Sequence, residues 1–439
     1  MSEKRDSFKA LLKLSLPAVM QQLMGTLLQY VDTAMVGHLG EAATASVSTS
    51  TTVNWLVHSI PYGLTVGLLS TLSQAAGRGD RQEIKRLAAM GSRISLWLGL
   101  ALTTVCLGIS PFLPSWMQAA AEIRQPASAY FFVVSLSLVF SVTGGMFASA
   151  MHAVKDTRTP MIINLSANGL NVLLNYVLIY RLSLGVMGAA CATAVSTTLC
   201  GLGMLLAFRH KEALRFGRED YFRIDREKLW KLLRVGLPVT ATSAVSCSGY
   251  IVFAGMVNGM GVITFAAHSI AVTAEEIFYL PGYGIRTATS ALIGSAIGER
   301  NREKFRATRR QSLLLTAAVM TVSGMILFFA AYPLMRVFTD SRPVAGMGAG
   351  VLRMVAFSEP FFGLMVAWEG ISYGTGRTRS VFIIEALSMW GVRILCTFLV
   401  IRAGLGLSAV WWCMIADNVT KAVLLTLVGV RQGEKTGKE

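Results

Sequence analysis

Charge is what this sequence has least of. Only 15% of its 439 residues are Asp, Glu, Lys or Arg, while 53% are hydrophobic and the mean hydropathy is +0.55. Soluble domains carry about 25% charged residues, so an ordinary water-facing globular enzyme is excluded. Histidine occurs five times (His38, His58, His152, His210, His268), and no spacing among these sets up a His/Asp or Ser/His constellation. The six cysteines (Cys106, Cys191, Cys200, Cys247, Cys396, Cys413) stand singly in apolar stretches without a CxxC pair. A disulfide framework and a zinc site are therefore not expected, and the thiols read as small buried hydrophobes. No GxxxxGK[ST] loop occurs, so nothing in the chain would cradle a nucleotide for ATP-driven work. No cofactor is expected.

What the chain has instead is long apolar runs. A helix needs about 20 apolar residues to cross roughly 30 Å of hydrocarbon. Twelve such runs are expected, in round figures 12–36, 46–76, 92–112, 127–150, 160–180, 186–208, 232–257, 263–297, 311–335, 347–372, 381–401 and 406–430. Their length without period-2 alternation reads as helix rather than barrel strand. The 40 Lys and Arg against 24 Asp and Glu leave a formal charge of +16. Thirty-one of these bases fall on the side of the amino-terminal tail, a few of them at run ends, five on the other, and Arg286, Arg353, Arg393 and Lys421 lie well inside runs. That asymmetry orients both termini to the cytoplasm. The charge is thus a topological signal and no nucleic-acid partner is expected. The first run follows a basic tail and exceeds a signal h-region, so it is expected to remain as a span. The expected setting is a bacterial cytoplasmic (inner) membrane, the bilayer itself being the protein's partner.

A shift of 221 residues superposes the two halves almost without gaps. It pairs Leu16-Pro17 with Leu237-Pro238, Gly40 with Gly261, Gly63 with Gly284, Gly77 with Gly298, Arg81 with Arg302, and Thr157-Arg158 with Thr378-Arg379. Six spans per copy return the chain to the same face, so the copies should be related by an axis along the membrane normal. The expected fold class is an all-α membrane protein of twelve transmembrane helices in two six-helix bundles related by a pseudo-twofold axis. Residues 1–208 form the first lobe, 209–231 a cytoplasmic linker and 232–439 the second lobe with a short tail. Eight basic residues between Arg209 and Lys231, interleaved with acids, mark the linker as solvated.

An ionisable group in hydrocarbon costs about 2.5–3.5 kcal/mol, so each asks for a reason. In the first half the single acid within a run is Asp32, whose repeat counterpart is Phe253. Eighteen residues, or about 27 Å of helix, separate it from Leu14, which leaves a solvated acid at the outer interface as one reading and a coupling group as the other. Pro17 removes a backbone donor and could serve as a hinge low in the same helix, or be innocuous in its first turn. Asn164, Asn168, Asn171 and Asn175 recur at four, three and four residues, which stacks four amides on one helical face. Interhelical glue and a polar path are both open for them. Thr193 and Thr197 stand one turn apart in the next run. The second half holds Glu275, Glu276, Arg286, Arg353, Glu359, Glu369, Glu385, Arg393, Asp417 and Lys421 within runs, all facing uncharged residues at the 221 shift. Arg353, Arg393, Asp417 and Lys421 are expected to join buried ion networks. Met20, Met24, Met35, Tyr30, Met256 and Phe253 are candidates to line a substrate cavity, with core packing equally open.

The chain resembles the multidrug and toxic compound extrusion (MATE) family over essentially its whole length. The resemblance is carried by Pro17 through Val31-Asp32-Thr33-Ala34-Met35-Val36-Gly37, by Lys155-Asp156-Thr157-Arg158-Thr159-Pro160, by Asn171 with Asn175, and by Gly188-Ala189-Ala190-Cys191-Ala192-Thr193. In the second half it rests on Ala267-His268-Ser269, Pro281-Gly282-Tyr283-Gly284, Gly374-Thr375-Gly376-Arg377-Thr378-Arg379 and Met389-Trp390-Gly391-Val392-Arg393. It implies two six-helix lobes around a central cavity and export of organic cations or other amphipathic drugs against H⁺ or Na⁺, by a monomer and without enzymatic chemistry. The implied cation site falls on Asp32, Asn171, Asn175 and Thr193, with Asp32, Asn171 and Asn175 as metal ligands only if Na⁺ is the coupling ion. Some members carry a second acid where this chain has Asn175, and another branch has an acid where Ser246 aligns. Glu275, Glu369, Glu385 and Arg393 are the second-half candidates. A rival reading within transport is a flippase for a lipid-linked or anionic metabolite, which would need Arg286, Arg353 and Arg393 to line a cationic cleft.

Overall fold

The computed structural model describes residues 2–222 and 225–436, and among these no strand occurs. The long helices are α1 (Ser2–Gly37), α2 (Glu41–Arg78), α3 (Arg81–Ile109), α4 (Ala121–Leu136), α5 (Leu138–Ala153), α6 (Arg158–Asn175) and α7 (Gly185–His210) in the first half. In the second they are α8 (Arg226–Asn258), α9 (Val262–Gly298), α10 (Arg302–Phe338), α11 (Arg342–Ala356), α12 (Glu359–Thr375), α13 (Arg379–Ser388) and α14 (Leu407–Thr436). Wider turns at Tyr176–Arg181 and Met389–Ile394 extend α6 and α13. Eight helices are long and apolar enough to cross a membrane, and ten such spans result if α4–α5 and α11–α12, bent by 43° and 55°, each count as one. Helices α2 and α9 have the length, at 38 and 37 residues, but not the apolar composition. Much of the polarity of α2 is answered within the helix itself. Thr44, Ser46, Thr49 and Thr71 each donate to the carbonyl four residues back, which satisfies the hydroxyl without a partner helix.

The 221-residue repeat has local structural counterparts. Gly40 and Gly261 enter α2 and α9 with φ of +106° and +108°, a conformation that disfavours any Cβ. Asp80 caps α3 by accepting from the Glu83 N–H at 2.8 Å, and Asn301 caps α10 by accepting from the Lys304 N–H at 2.8 Å. The two bends fall at Ser137 and at Phe357-Ser358. In each the serine hydroxyl turns back onto the carbonyl three residues earlier, Ser137 to Val134 at 2.8 Å and Ser358 to Val355 at 2.9 Å.

The chain forms two compact units, one of Met20–Gly236 and one of Met1–Val19 with Leu237–Glu439. Within the first, Gly67 of α2 lies so close to the opening turns of α8 that a Cβ there would stand 2.7 Å from the Leu232 carbonyl. Its apolar packing includes Cys106, Leu113, Phe131, Leu138 and Val142. Within the second, Leu11 and Leu14 of α1 pack on Ala288 and Leu292 of α9. A larger core there gathers Phe253, Leu327, Met335, Leu352 and Trp411. Phe253, a candidate cavity residue by sequence, is therefore core: it is 3% exposed and packs edge-on against His268. A ring of that size gains many van der Waals contacts in such a core, which accounts for its position.

Candidate functional site

In the first unit a cavity of about 540 Å³ opens between α1, α5, α6 and α7. The face of α1 presented to it is Gln21, Gly25, Leu28, Gln29 and Asp32, a helical spacing of four, three, one and three. Sequence reasoning passed over Gln21 and Gln29, although this periodicity put both on the stripe of Asp32. From α6 come Asn164, Asn168 and Asn171, and from α7 Thr193, Ser196 and Thr197. The asparagine spacing thus makes a polar wall, and part of it is also structural. Asn164 donates to the Pro160 carbonyl at 2.9 Å within its own helix, and the Cys200 thiol approaches its Oδ1 at 3.6 Å.

The structure brings Asp32, Asn171 and Asn175 together. Asn175, fully buried, donates from Nδ2 to the Asp32 carboxylate and to Asn171 Oδ1, the latter at 3.2 Å. Its own Oδ1 is buried without a hydrogen-bond partner, an oxygen left free beside a carboxylate. Asn175 ends α6, and the wider turn of Tyr176–Arg181 begins at the next residue. Such turns insert a residue into the ladder and often accompany functional sites. Tyr180 clamps the segment by donating its hydroxyl to the Met35 carbonyl at 2.9 Å. Tyr130 of α4, 7% exposed, lies beside Asp32 and Thr193, so Thr193 joins the same cluster through this ring. One carboxylate among amide and hydroxyl oxygens can exchange a proton or coordinate a hard monovalent cation. Among the described residues no group of three or more His, Cys, Asp or Glu could hold a metal ion.

The second-half candidates belong to the other unit and are not among the residues that line this cavity. Arg286 reaches Glu369 at 2.5 Å. Lys421 joins Glu385 at 2.8 Å and Asp417 at 3.0 Å, and Arg393 Nε meets Asp417 Oδ2 at 2.9 Å. Ser246 donates to Glu385 at 2.7 Å and Ser388 to Asp417 at 2.6 Å. Arg393 also sits over the rings of Tyr250 and Phe253 at 5.2 and 5.7 Å. Arg353, expected in this network, is not part of it. It lies exposed in the last turn of α11 with no ion pair among the described residues, because that face of α11 points away from the core built on Leu352 and Val355. Arg286 and Arg393 are neutralised by acids and Arg353 stands elsewhere, so the three do not form a cationic cleft. Glu275 and Glu359 are both buried, and one oxygen of Glu359 has no hydrogen-bond partner.

The MatE family model matches residues 17–177 and again 238–399, starting points 221 residues apart. The chain belongs to the MatE family. This MatE chain is 29% identical over 428 residues to the "Probable multidrug resistance protein NorM" of Thermotoga maritima, covering 95% of itself and 91% of that protein. It is 25% identical to "Multidrug and toxin extrusion protein 1" of Oryctolagus cuniculus, covering 96% of itself and 75% of the relative. A solved structure described as an outward-facing multidrug resistance MATE family transporter superposes with a TM-score of 0.94 at 23% identity, covering 99% of this chain and 97% of the other. A MOP superfamily transporter from Pyrococcus furiosus superposes with a TM-score of 0.93 at 23% identity. At that identity the structural likeness establishes the fold of the MatE chain alone.

Proposed function

We propose that this MatE chain is a secondary active multidrug exporter, not an enzyme, working by alternating access with Asp32 as the group that carries the coupling ion. The reading takes the chain as a monomer of twelve spans, six in each sequence half, with both termini in the cytoplasm of a bacterial inner membrane. The observation that carries it is the single carboxylate of Asp32, held by Asn175 at the end of an amide row that lines a cavity. In such a setting a carboxylate has two satisfied states: protonated, donating to a neighbouring oxygen, or ionised with the Asn175 amide and a cation as partners. Thr193, Tyr130 and Asn171 supply further oxygens to either state. Pro17, lying beside the boundary between the two compact units within α1, is the proposed hinge.

A proton moving down 100 mV supplies about 2.3 kcal/mol, which sustains nearly two decades of gradient for an uncharged drug. For a monovalent cation exchanged one for one the cycle is electroneutral, and only the pH difference drives it. A lone acid suits H⁺ better than Na⁺, because hard-cation sites gain affinity with the number of charged oxygens. The test is efflux of an organic cation from proteoliposomes under an imposed pH gradient or an imposed sodium gradient. Efflux under the pH gradient alone is expected. Loss of efflux under both gradients overturns the proposal.

A further inference from the structure

A second cavity of the first unit is larger than the polar one. A groove of about 1060 Å³ runs in the first unit between α3, α5, α7 and the segment that follows α7. That volume is at the upper end of what drug-sized ligands occupy. Its inner end is apolar, formed by Leu100, Val139 and Leu202, and its outer end is basic, formed by Arg209, Arg215 and Arg218. From Gly201, at the inner end, to Arg209 is eight residues of α7, or about 12 Å of depth. Leu96, Leu100 and Leu202 are 38%, 42% and 39% exposed, so the apolar end is open along the flank of the bundle and not sealed in its core. The three arginine side chains are exposed and have no ion pair or hydrogen-bond partner among the described residues. The segment bearing them is fixed. Arg93 of α3 donates to the Tyr221 carbonyl at 2.8 Å, Lys211 pairs with Asp156 at 2.6 Å, and Leu214 is fully buried.

We propose that this groove binds one anionic phospholipid of the cytoplasmic leaflet, its phosphate among Arg209, Arg215 and Arg218 and an acyl chain against Leu100, Val139 and Leu202. An amphiphile with a charged phosphate head and a hydrocarbon tail is the chemistry that matches both ends. Guanidinium groups pair with phosphate oxygens bidentately, which favours arginine here over a diffuse basic patch. Glu212 is the one acid among the lining residues, and Asp220 accepts from the Gly217 N–H at 3.3 Å beside them; three arginines against these two carboxylates leave the site net positive. Phe140 and Gly201 line this groove and the polar cavity alike, so a bound lipid would press on the wall of the candidate coupling site. The inference rests on the membrane-spanning reading of the chain and not on which ion drives it.

The test is native mass spectrometry of the detergent-purified full chain, titrated separately with phosphatidylglycerol, with phosphatidylcholine of the same chains, and with inorganic phosphate. Three arginines at a lipid headgroup set an expected preference for phosphatidylglycerol over phosphatidylcholine of about a hundredfold. The variant Arg209→Gln/Arg215→Gln/Arg218→Gln should lose most of that preference, while Arg300→Gln/Arg306→Gln/Arg310→Gln, equal in charge removed, should keep it. Glu212→Gln should bind phosphatidylglycerol more tightly than the parent, and Arg215→Gln alone should show an intermediate loss. Equal losses in the two triple variants, an unchanged preference in the first, or phosphate binding as tightly as the lipid would each overturn the proposal. Dye efflux from pure phosphatidylcholine vesicles separates this outcome from the transport reading, since the lipid site can fail while efflux persists.

Discussion

Replacing Asp417 with Asn should destabilise the second unit far more than a typical point change. Asp417 is fully buried, and its carboxylate faces Arg393 and Lys421, which are 3% and 2% exposed. Glu385 completes a set of two acids and two bases. The approach of Arg393 Nε to Asp417 Oδ2 at 2.9 Å is a charge contact without hydrogen-bond alignment, so Ser388 supplies the directed bond. The amide keeps the shape but removes one of the two negative charges, leaving a buried net positive charge. Breaking one partner of a buried pair costs about 3–5 kcal/mol. For a folding unit of about 220 residues each kcal/mol corresponds to about 2–4 °C in Tm, so a drop of about 10 °C is expected. The assay is thermal unfolding of the detergent-solubilised protein at neutral pH. The double variant Asp417→Asn/Lys421→Met restores charge balance and should recover part of the loss, a coupling that neither single change can mimic. A shift under about 2 °C for Asp417→Asn, or a double variant less stable than the summed singles, would refute a charge-balanced core.

Other consequences are equally direct. Burial pushes the Asp156 carboxyl up, but hydrogen bonds from Lys211 and from the Thr159 N–H and hydroxyl outweigh it and hold the group below the usual carboxylate range. A depressed folded pKa gives stability that is complete above the unfolded value near 4 and is lost as pH falls through the folded one. Asp156→Asn should therefore flatten the fall in Tm below about pH 4, and an unaltered acid profile would contradict this. A Cβ on Gly201 would stand 2.5 Å from the Phe140 carbonyl oxygen, so Gly201→Ala should cost about 1–3 kcal/mol, read as a lower Tm. Asn175→Asp places a second carboxylate beside Asp32 and should shift dye efflux toward dependence on an imposed sodium gradient; unchanged ion dependence would show that this position does not select the ion.

The internal repeat was legible in the sequence because glycines and caps carry local constraints. Gly40 and Gly261 have left-handed backbones, and Asp80 and Asn301 cap with the same bond, so matching residues mark matching geometry. The asparagine row was legible for a similar reason, since spacing on a helix fixes a face. What spacing could not convey was the neighbour each face meets. Asp32 lay by length near a helix end, and whether it met solvent or Asn175 depended on α6, which ends opposite it. Arg353 and Arg393 had identical standing as arginines in apolar runs; only tertiary packing separates the exposed side of α11 from the buried turn at Met389–Ile394. Gln21 and Gln29 share the stripe of Asp32 on α1, but two amides in a helix without a run of them give a weaker signal than the four in α6.

The most direct test of the central claim compares the parent with Asp32→Asn in sealed vesicles under two regimes, net dye efflux driven by an imposed pH or sodium gradient and dye exchange at equilibrium without one. The account predicts that Asp32→Asn, which preserves shape and hydrogen bonding while fixing the site in a neutral state, abolishes gradient-driven efflux. Gradient-driven efflux at the parent rate in Asp32→Asn would contradict it.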